Sequence, residues 1–222
     1  MIYKTFMPTQ DQFHLIKAIA LISIAIGIVG ISLGSIAASF DLPMWIPLVL
    51  SVTVLAGAAE FTFIGMIATG ANPIFAAFTG LLINLRHLPF GLSVAEFIQN
   101  NIFKYMACHV MNDESVMFGL SQSTQALKLK AYWLCGVSVA ICWPIGVILG
   151  FIVGKNIPDI YSFGIDAAFP AILFALIIPM LKNRLTRNRT FLGAVFALVS
   201  FPFLPTGLPV LVSLLSLMLG KK

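Results

Sequence analysis

The chain has 222 residues, of which 59% are hydrophobic and only 9% are charged, and its mean hydropathy is +1.01. Soluble domains are typically about 25% charged, so this composition excludes a soluble globular protein and predicts an integral membrane protein in a lipid bilayer. The formal net charge is +5, but the basic residues concentrate at predicted helix ends, above all in residues 182–189. Such clusters are typical of cytoplasmic loops, so we expect no nucleic-acid partner.

The first part of the chain combines a polar arm with two apolar runs. Residues 1–17 are polar and are predicted to form a cytoplasmic arm or an interfacial helix. Residues 18–40 are free of charge and long enough for a spanning helix, which needs about 20 apolar residues. Gly30 and Gly34 in this run favour a close contact with another helix. A second apolar run, residues 45–70, carries Glu60 near its middle and ends before a predicted turn.

The second part begins with an apolar segment, residues 73–85, that is too short to span a bilayer alone. Residues 96–130 are the most polar part and are predicted to lie on the cytoplasmic side. Further spanning helices are expected at residues 131–154 and 165–181, and residues 191–204 and 208–220 are predicted to form two thin or partial helices. On the helix predicted at residues 131–154, Gly146, Gly150 and Gly154 are expected to form a small-residue surface for helix packing.

The distribution of lysine and arginine predicts the orientation of the chain. If the cluster at residues 182–189 is cytoplasmic, every lysine and arginine except Arg86 and Lys155 lies on that side, with both termini. Residues 45–103 must then cross the membrane an odd number of times, so one segment there is expected to be re-entrant or split, or residues 94–103 complete a third crossing. We therefore predict a single all-α transmembrane domain over residues 1–222, a polytopic bundle of about six to seven helices with broken or re-entrant segments between residues 45 and 103 and near the C-terminus.

Ionisable side chains, glycine and proline interrupt the apolar stretch of residues 56–93. Ionisable groups at membrane depth mark a pathway or a binding site by default, and here they are Glu60, Arg86 and His87, with the polar Asn84 beside them. Glycine and proline nearby predict helices that break inside the membrane. Broken helices that carry charge are typical of secondary transporters.

Four segments carry a resemblance to a known family. They are GAAEFTFIGMIATGANP (57–73), NLRHLPFGLS (84–93), NDES (112–115) and GIDAAFPAILFALIIP (164–179). In this order and spacing the chain resembles, over roughly residues 15–220, the AzlC/YgaZ family, the large subunit of bacterial branched-chain amino acid exporters. It departs from the family pattern at Glu60, where glutamine is frequent, at Pro89-Phe90, where tyrosine is frequent, and at Asn112, where threonine is usual. These departures concern substrate range and coupling ion more than fold.

The resemblance implies a multi-pass protein of the bacterial inner membrane that exports leucine, isoleucine and valine, with methionine as a further candidate. It implies alternating access driven by a proton gradient or the membrane potential, no cofactor, and a small membrane subunit of the AzlD/YgaH type as partner. The sequence has no Walker A motif, so we expect no ATP hydrolysis by this chain.

The substrate-binding candidates follow from what a zwitterionic aliphatic amino acid requires. They are Arg86, Glu60, Asn84 and Asp166. Arg86 offers a planar fork to a carboxylate, and Glu60 is the first candidate for the ammonium group or a proton. The alternatives are structural: an ion pair of Arg86 with Glu60 or Asp166, a backbone hydrogen bond from Asn84, and a helix N-terminus at Asp166.

The candidates for proton coupling or gating are His87, Glu60, Asp113 and Glu114. His87 titrates near neutral pH, although a packing histidine is an equal alternative. Asp113 and Glu114 have a structural alternative as well, as helix caps or as ion-pair partners of Lys128 or Lys130.

Two other functions remain open at this point. The chain could be a scaffold subunit whose partner carries the substrate path. It could also be an intramembrane enzyme that uses Glu60, His87 and Asp113, but the sequence contains neither H-E-x-x-H nor G-x-S-x-G. The three cysteines have no metal-binding spacing, so neither a catalytic residue nor a metal site is predicted.

Overall fold

The computed structural model describes residues 9–98, 101–156, 174, 178, 180–204 and 208–218, and these residues form helices and turns without a strand. The helices are α1 (Thr9–Ser39), α2 (Trp45–Thr53), α3 (Gly57–Ala68), α4 (Pro73–Asn84), α5 (His87–Val94), α6 (Phe103–His109), α7 (Asp113–Leu120), α8 (Gln125–Asn156), α9 (Arg184–Ser200) and α10 (Leu208–Ser213). Within the described part, Gln12–Ser39, Pro73–Val94 and Gln125–Asn156 are long and apolar enough to cross a membrane. The predicted all-α membrane bundle is confirmed.

Helices α1 and α8 pack against each other along most of their length through glycine. A Cβ atom at Gly34 would collide with the Val147 carbonyl oxygen, and one at Gly150 would collide with that of Ile31. Ser35 Oγ donates a hydrogen bond to the Gly150 carbonyl oxygen across the interface at 2.9 Å. The two predicted glycine surfaces are therefore the two halves of one interface, in which the absence of side chains lets the backbones touch.

The same contacts show that α1 and α8 run parallel. Along α1, Gly27, Ile31 and Ser35 follow one another, and they meet Gly146, Gly150 and Gly154 of α8 in the same order. Both helices therefore begin on one side of the membrane, called the near side below, and end on the other, called the far side. The polar arm and the start of α8 share the near side.

Helices α2 and α3 form a re-entrant hairpin, the far-side hairpin. α2 begins at Trp45, soon after α1 ends, and the interruption at residues 54–56 lies at mid-depth, where Gly57 approaches the ring of Trp143. The Asn72 side chain accepts a hydrogen bond from the Ile74 backbone N–H at 2.9 Å and so starts α4. α3 and α4 are antiparallel neighbours, with Gly80 beside Ala59.

The direction of α4 and α5 shows that α3 ends on the far side. Leu85 and Arg86 keep right-handed helical dihedrals between the two helices, so the chain bends there without reversing. At the end of α5, Val94 and Phe97 pack in one cluster with Tyr132, near the start of α8. The segment Pro73–Val94 therefore crosses from the far side to the near side, and α3, which is antiparallel to α4, rises back to the far side.

Helices α6 and α7 form the corresponding near-side hairpin. Tyr132 donates a hydrogen bond to the Ala107 carbonyl oxygen at 2.6 Å, and Val110 packs on Gly136, deeper in α8. Helix α7 then runs back to the near side, because Gly119, close to its C-terminal end, lies against Tyr132 near the start of α8. The described chain from residue 45 to residue 98 thus crosses once, and the re-entrant alternative predicted for this region is the one observed.

The C-terminal helices begin at a different point from the one predicted. The basic segment 182–189 is expected as a loop, but α9 starts at Arg184, because the Asn183 side chain accepts hydrogen bonds from the Leu185 and Thr186 backbone N–H groups at 2.9 and 3.2 Å. Gly193 of α9 lies next to Ser216, in the short 3₁₀ helix Leu214–Leu217 that follows α10. The predicted span at 165–181 falls almost wholly outside the described residues.

Candidate functional site

The interruptions at residues 54–56, 85–86 and 110–112 lie close together in the folded chain. A cavity of about 390 Å³ takes its lining from the ends of α2, α4 and α6. Its lining residues are Thr53, Val54, Asn84, His87, Tyr105, Cys108, His109 and Met111. A helix interruption leaves backbone groups without helical partners, and inside a membrane these must be satisfied by protein or by a cavity. Two of the candidate residues predicted from the sequence, Asn84 and His87, line this cavity.

Glu60 is almost completely buried, with 1% of its surface exposed. Its Oε1 accepts a hydrogen bond from the Ala56 backbone N–H at 2.9 Å, and the Trp143 indole N–H donates to both carboxyl oxygens at 3.2 and 3.0 Å. Ala56 precedes α3 and has no capping side chain of its own. The Glu60 carboxyl group therefore caps the interrupted backbone and ties it to α8.

The backbone at this interruption is strained. Leu55 has a φ of +50°, a left-handed conformation that is uncommon for a residue other than glycine. Its side chain is buried in the cluster with Phe61 and Trp143. Strain of this kind is typical of functional sites that the surrounding structure holds in place.

Asn84 lies at the end of α4 and lines two cavities, the one described above and a second of about 240 Å³ between α2, α3 and α4. Its Oδ1 is buried without a hydrogen-bond partner. Its carbonyl oxygen lies 3.0 Å from His87 Nδ1, so this nitrogen donates in the bond. A buried amide oxygen without a donor is a position where a ligand or a water can bind.

Arg86 forms an ion pair with Asp113, with 3.1 Å between Nη2 and Oδ2. The pair joins the kink of the spanning segment to the first residue of α7, in the near-side hairpin. About a third of the Arg86 side chain and nearly half of Asp113 are exposed, and Arg86 Nε is buried without a hydrogen-bond partner. The structural alternative in which Arg86 pairs with Glu60 is thus not the pairing that the structure has.

The remaining candidates are His87, Glu114 and Asp166. His87 lines the first cavity and packs edge-on against Phe90, with 5.9 Å between the ring centroids. Glu114 is half-buried in the first turn of α7, where negative charge favours a helix N-terminus. Asp166 lies outside the described residues.

Lys128 pairs with Glu96 at 3.5 Å, whereas the sequence suggested Asp113 or Glu114 as its partner. Within the described chain, no group of three or more histidine, cysteine, aspartate or glutamate residues could hold a metal ion.

Two residues of the site, Trp143 and Asn112, were not predicted from the sequence as site residues. Trp143 lies in an apolar run and gives no local sign that its indole N–H holds a carboxyl group. Asn112 did carry a signal, because asparagine is strongly preferred as the cap residue at a helix start. In the structure it forms a capping box with Ser115, with hydrogen bonds of 2.8 and 3.0 Å. This box orients α7 and hence Asp113.

Comparison with known proteins places this architecture in a family. The family model for the AzlC protein matches residues 21–157. The branched-chain amino acid transport protein AzlC of Bacillus subtilis is 25% identical over 152 residues, which cover 67% of this chain and 59% of that protein. No solved structure matches the chain.

Two relatives from different strains of Helicobacter pylori, both described as uncharacterized membrane proteins, extend the similarity over most of the chain. They are 25% identical over 215 residues and 24% identical over 209 residues. Each alignment covers 90% of this chain, and they cover 92% and 89% of the relatives. The family model spans more than half of the chain, from α1 to the end of α8 with both hairpins between them, and the chain therefore belongs to the AzlC family.

Proposed function

We propose that this chain is a secondary transporter that exports leucine, isoleucine and valine, with methionine as a further candidate, across the bacterial inner membrane. The observation that carries the proposal is the meeting of three helix interruptions around Asn84, Arg86 and His87. Interrupted helices at mid-depth are where secondary transporters bind substrates and ions. The name of the Bacillus subtilis relative, a branched-chain amino acid transport protein, supports the choice of substrate.

The proposed site divides the amino acid between charged and apolar contacts. Arg86 binds the carboxylate, since its guanidinium is already positioned for an acidic group. Asn84 Oδ1, which has no donor, and Glu60 accept hydrogen bonds from the ammonium group. Asp166 is the further predicted contact.

In the proposed mechanism, the conformational change begins when the Arg86–Asp113 ion pair breaks. A substrate carboxylate at Arg86 competes with Asp113 and releases the N-terminus of α7, so that substrate binding loosens the near-side hairpin. Because the pair is partly exposed, it stabilises the fold only weakly, by about 0–1 kcal/mol, and exchange of partners is easy. His87, Glu60 and Glu114 are the groups proposed to couple this step to protons, with the membrane potential as the alternative driving force.

The proposed orientation places the near side in the cytoplasm, with both termini. Lys17, Lys104, Lys128 and Lys130 lie on that side of the described chain, whereas Lys155 lies at the far end of α8. Basic residues favour the cytoplasmic side. A small AzlD/YgaH-type subunit is the proposed partner.

Counterflow of radiolabelled leucine in proteoliposomes tests the function. The chain is reconstituted alone and with the small subunit, each with and without a pH gradient. We expect leucine exchange in the complete preparation, and its response to the gradient identifies the coupling. Absence of exchange of leucine, isoleucine, valine and methionine in both preparations, with folded protein, would contradict the proposal.

Replacing Arg86 tests its role in the site. Arg86→Gln is expected to lower leucine counterflow by about 10- to 100-fold, because hydrogen bonds to charged groups contribute about 1.5–3 kcal/mol, and Arg86→Lys is expected to retain part of it. The matched control is Lys128→Gln, which breaks a second near-side ion pair and should leave counterflow near the unmodified rate. Equal counterflow in folded Arg86→Gln protein would favour a scaffold role for this chain.

A further inference from the structure

The cavity between α2, α3 and α4 is lined mostly by apolar residues, with two polar residues among them. Its volume is about 240 Å³. The apolar part of the lining includes Leu50, Val54, Phe63 and Leu81, and the polar groups of the lining are Glu60 and Asn84. Cavities that are mostly apolar, with few convergent polar groups, are typical of small-molecule sites.

We propose that this cavity binds the aliphatic side chain of the transported amino acid and that Gly80 sets the largest side chain accepted. The inference rests on the proposed function and deepens it, because it assigns the part of the site that distinguishes one amino acid from another. The ammonium group binds at Glu60 and the unpartnered Asn84 Oδ1, which both belong to the lining, and the side chain extends away from it between α3 and α4.

The size and chemistry of the cavity fit a branched aliphatic group. An apolar cavity of about 150 Å³ binds benzene, so about 240 Å³ accommodates a four-carbon side chain with the α-carbon beside it. A charged or amide side chain would lose its hydration against Leu50, Val54 and Phe63 without gaining hydrogen-bond partners there, which disfavours it. The cavity therefore selects aliphatic over polar amino acids.

Gly80 is placed to control the width of the cavity, because it belongs to the lining and faces Ala59 of α3 across it. A Cβ atom at this position would lie 3.6 Å from the Ala59 carbonyl oxygen and 3.7 Å from its Cβ. These are ordinary van der Waals distances, so alanine fits without displacing either helix and also favours helix over glycine. Gly80→Ala thus narrows the cavity by one methyl group in a chain that still folds.

The test is a competition experiment with labelled valine as the common tracer and unlabelled leucine and alanine as competitors. In the unmodified protein we expect leucine to compete better than alanine. In Gly80→Ala, the preference for leucine over alanine should fall by about tenfold, because one methylene in an apolar pocket changes discrimination by about 10- to 200-fold. Gly65→Ala is the matched control on α3, since a Cβ there meets nothing within 4 Å, and its preference should be unchanged.

A second variant changes the cavity in the opposite direction. Leu81 is 63% exposed, so Leu81→Ala removes little buried surface, enlarges the cavity and should increase competition by phenylalanine several-fold. An unchanged preference for leucine over alanine in folded Gly80→Ala, or no gain for phenylalanine in Leu81→Ala, would overturn the inference. Failure of the unmodified protein to exchange any aliphatic amino acid would instead overturn the proposed function, so the two failures are distinguishable.

Discussion

At the scale of single residues, the polar side chains inside this protein hold the interrupted backbone as well as facing the cavities. Glu60 accepts hydrogen bonds from the Ala56 backbone N–H and from Trp143, and Asn112 caps α7. Each interruption exposes backbone N–H groups that the bilayer cannot satisfy. A polar side chain at an interruption gives these N–H groups a hydrogen-bond acceptor. Because a carboxylate has about four lone-pair sites, Glu60 can still accept further hydrogen bonds near the site.

The bond between Trp143 and Glu60 gives the first prediction at this scale. Trp143→Phe keeps a ring against Gly57 and Phe61 but removes the indole N–H. A buried acceptor that loses its donor costs about 1–3 kcal/mol, so we expect a clear fall in the temperature of unfolding in detergent. Trp133→Phe, on the same helix but partly exposed, is the control and should change it less. Equal unfolding temperatures for the two variants would contradict a stabilising bond to Glu60.

The candidate residues were predictable to different degrees. Glu60, Arg86 and His87 stand out in the sequence because ionisable residues are rare in apolar segments. Their partners do not stand out: the donor to Glu60 lies 83 positions away, and an indole N–H in an apolar helix has no sequence signature. The acidic partner of Arg86 belongs to the segment predicted to be polar and cytoplasmic, and the fold brings the two together.

At the scale of elements, the parallel pair α1 and α8 is the framework on which both hairpins pack. Close approach at Gly34, Gly146 and Gly150 depends on the absence of side chains, because without a hydrophobic driving force between membrane helices, backbone proximity supplies the van der Waals contact. The hairpins then lie against α8, the far-side one near Trp143 and the near-side one near Gly136.

Gly34→Ala is expected to disrupt this framework. The added Cβ would collide with the Val147 carbonyl oxygen, so α1 and α8 would have to separate, with a loss of about 1–3 kcal/mol as for other overpacked interiors. The yield of monodisperse protein and its unfolding temperature measure the effect. Gly91→Ala, where a Cβ meets nothing within 4 Å, is the control and should behave like the unmodified protein; the same behaviour in Gly34→Ala would show that the interface can relax.

At the scale of the whole molecule, spanning segments and re-entrant hairpins alternate along the described chain up to residue 156. The far-side hairpin and the near-side hairpin enter from opposite faces and approach the same region, since one cavity is lined by Val54 at the end of α2 and by Met111 after α6. Because the two hairpins enter from opposite faces, access to this region from each face can be controlled separately. This arrangement suits the alternating access proposed for this chain.

Cysteine labelling tests this topology. In a variant whose native Cys108, Cys135 and Cys142 are replaced, single cysteines at Met44 and Ala71 flank the far-side hairpin. We expect a membrane-impermeant thiol reagent to label both from the same face of the membrane, and to label a cysteine at Gln122, after the near-side hairpin, from the opposite face. Labelling of Met44 and Ala71 positions from opposite faces would mean that α2 and α3 cross the membrane.

The sequence by itself determined the membrane class, the spanning helices at residues 18–40 and 131–154, the glycine faces and the polar candidates, because each of these depends on local composition and spacing along one helix. The positions of lysine and arginine also predicted an odd number of crossings for residues 45–103. Only the tertiary structure decided that α3 turns back, that Arg86 pairs with Asp113 and that Glu60 is held by Trp143. These features depend on contacts between segments far apart in the chain, and such contacts form only when the α1–α8 framework brings both hairpins to the same depth.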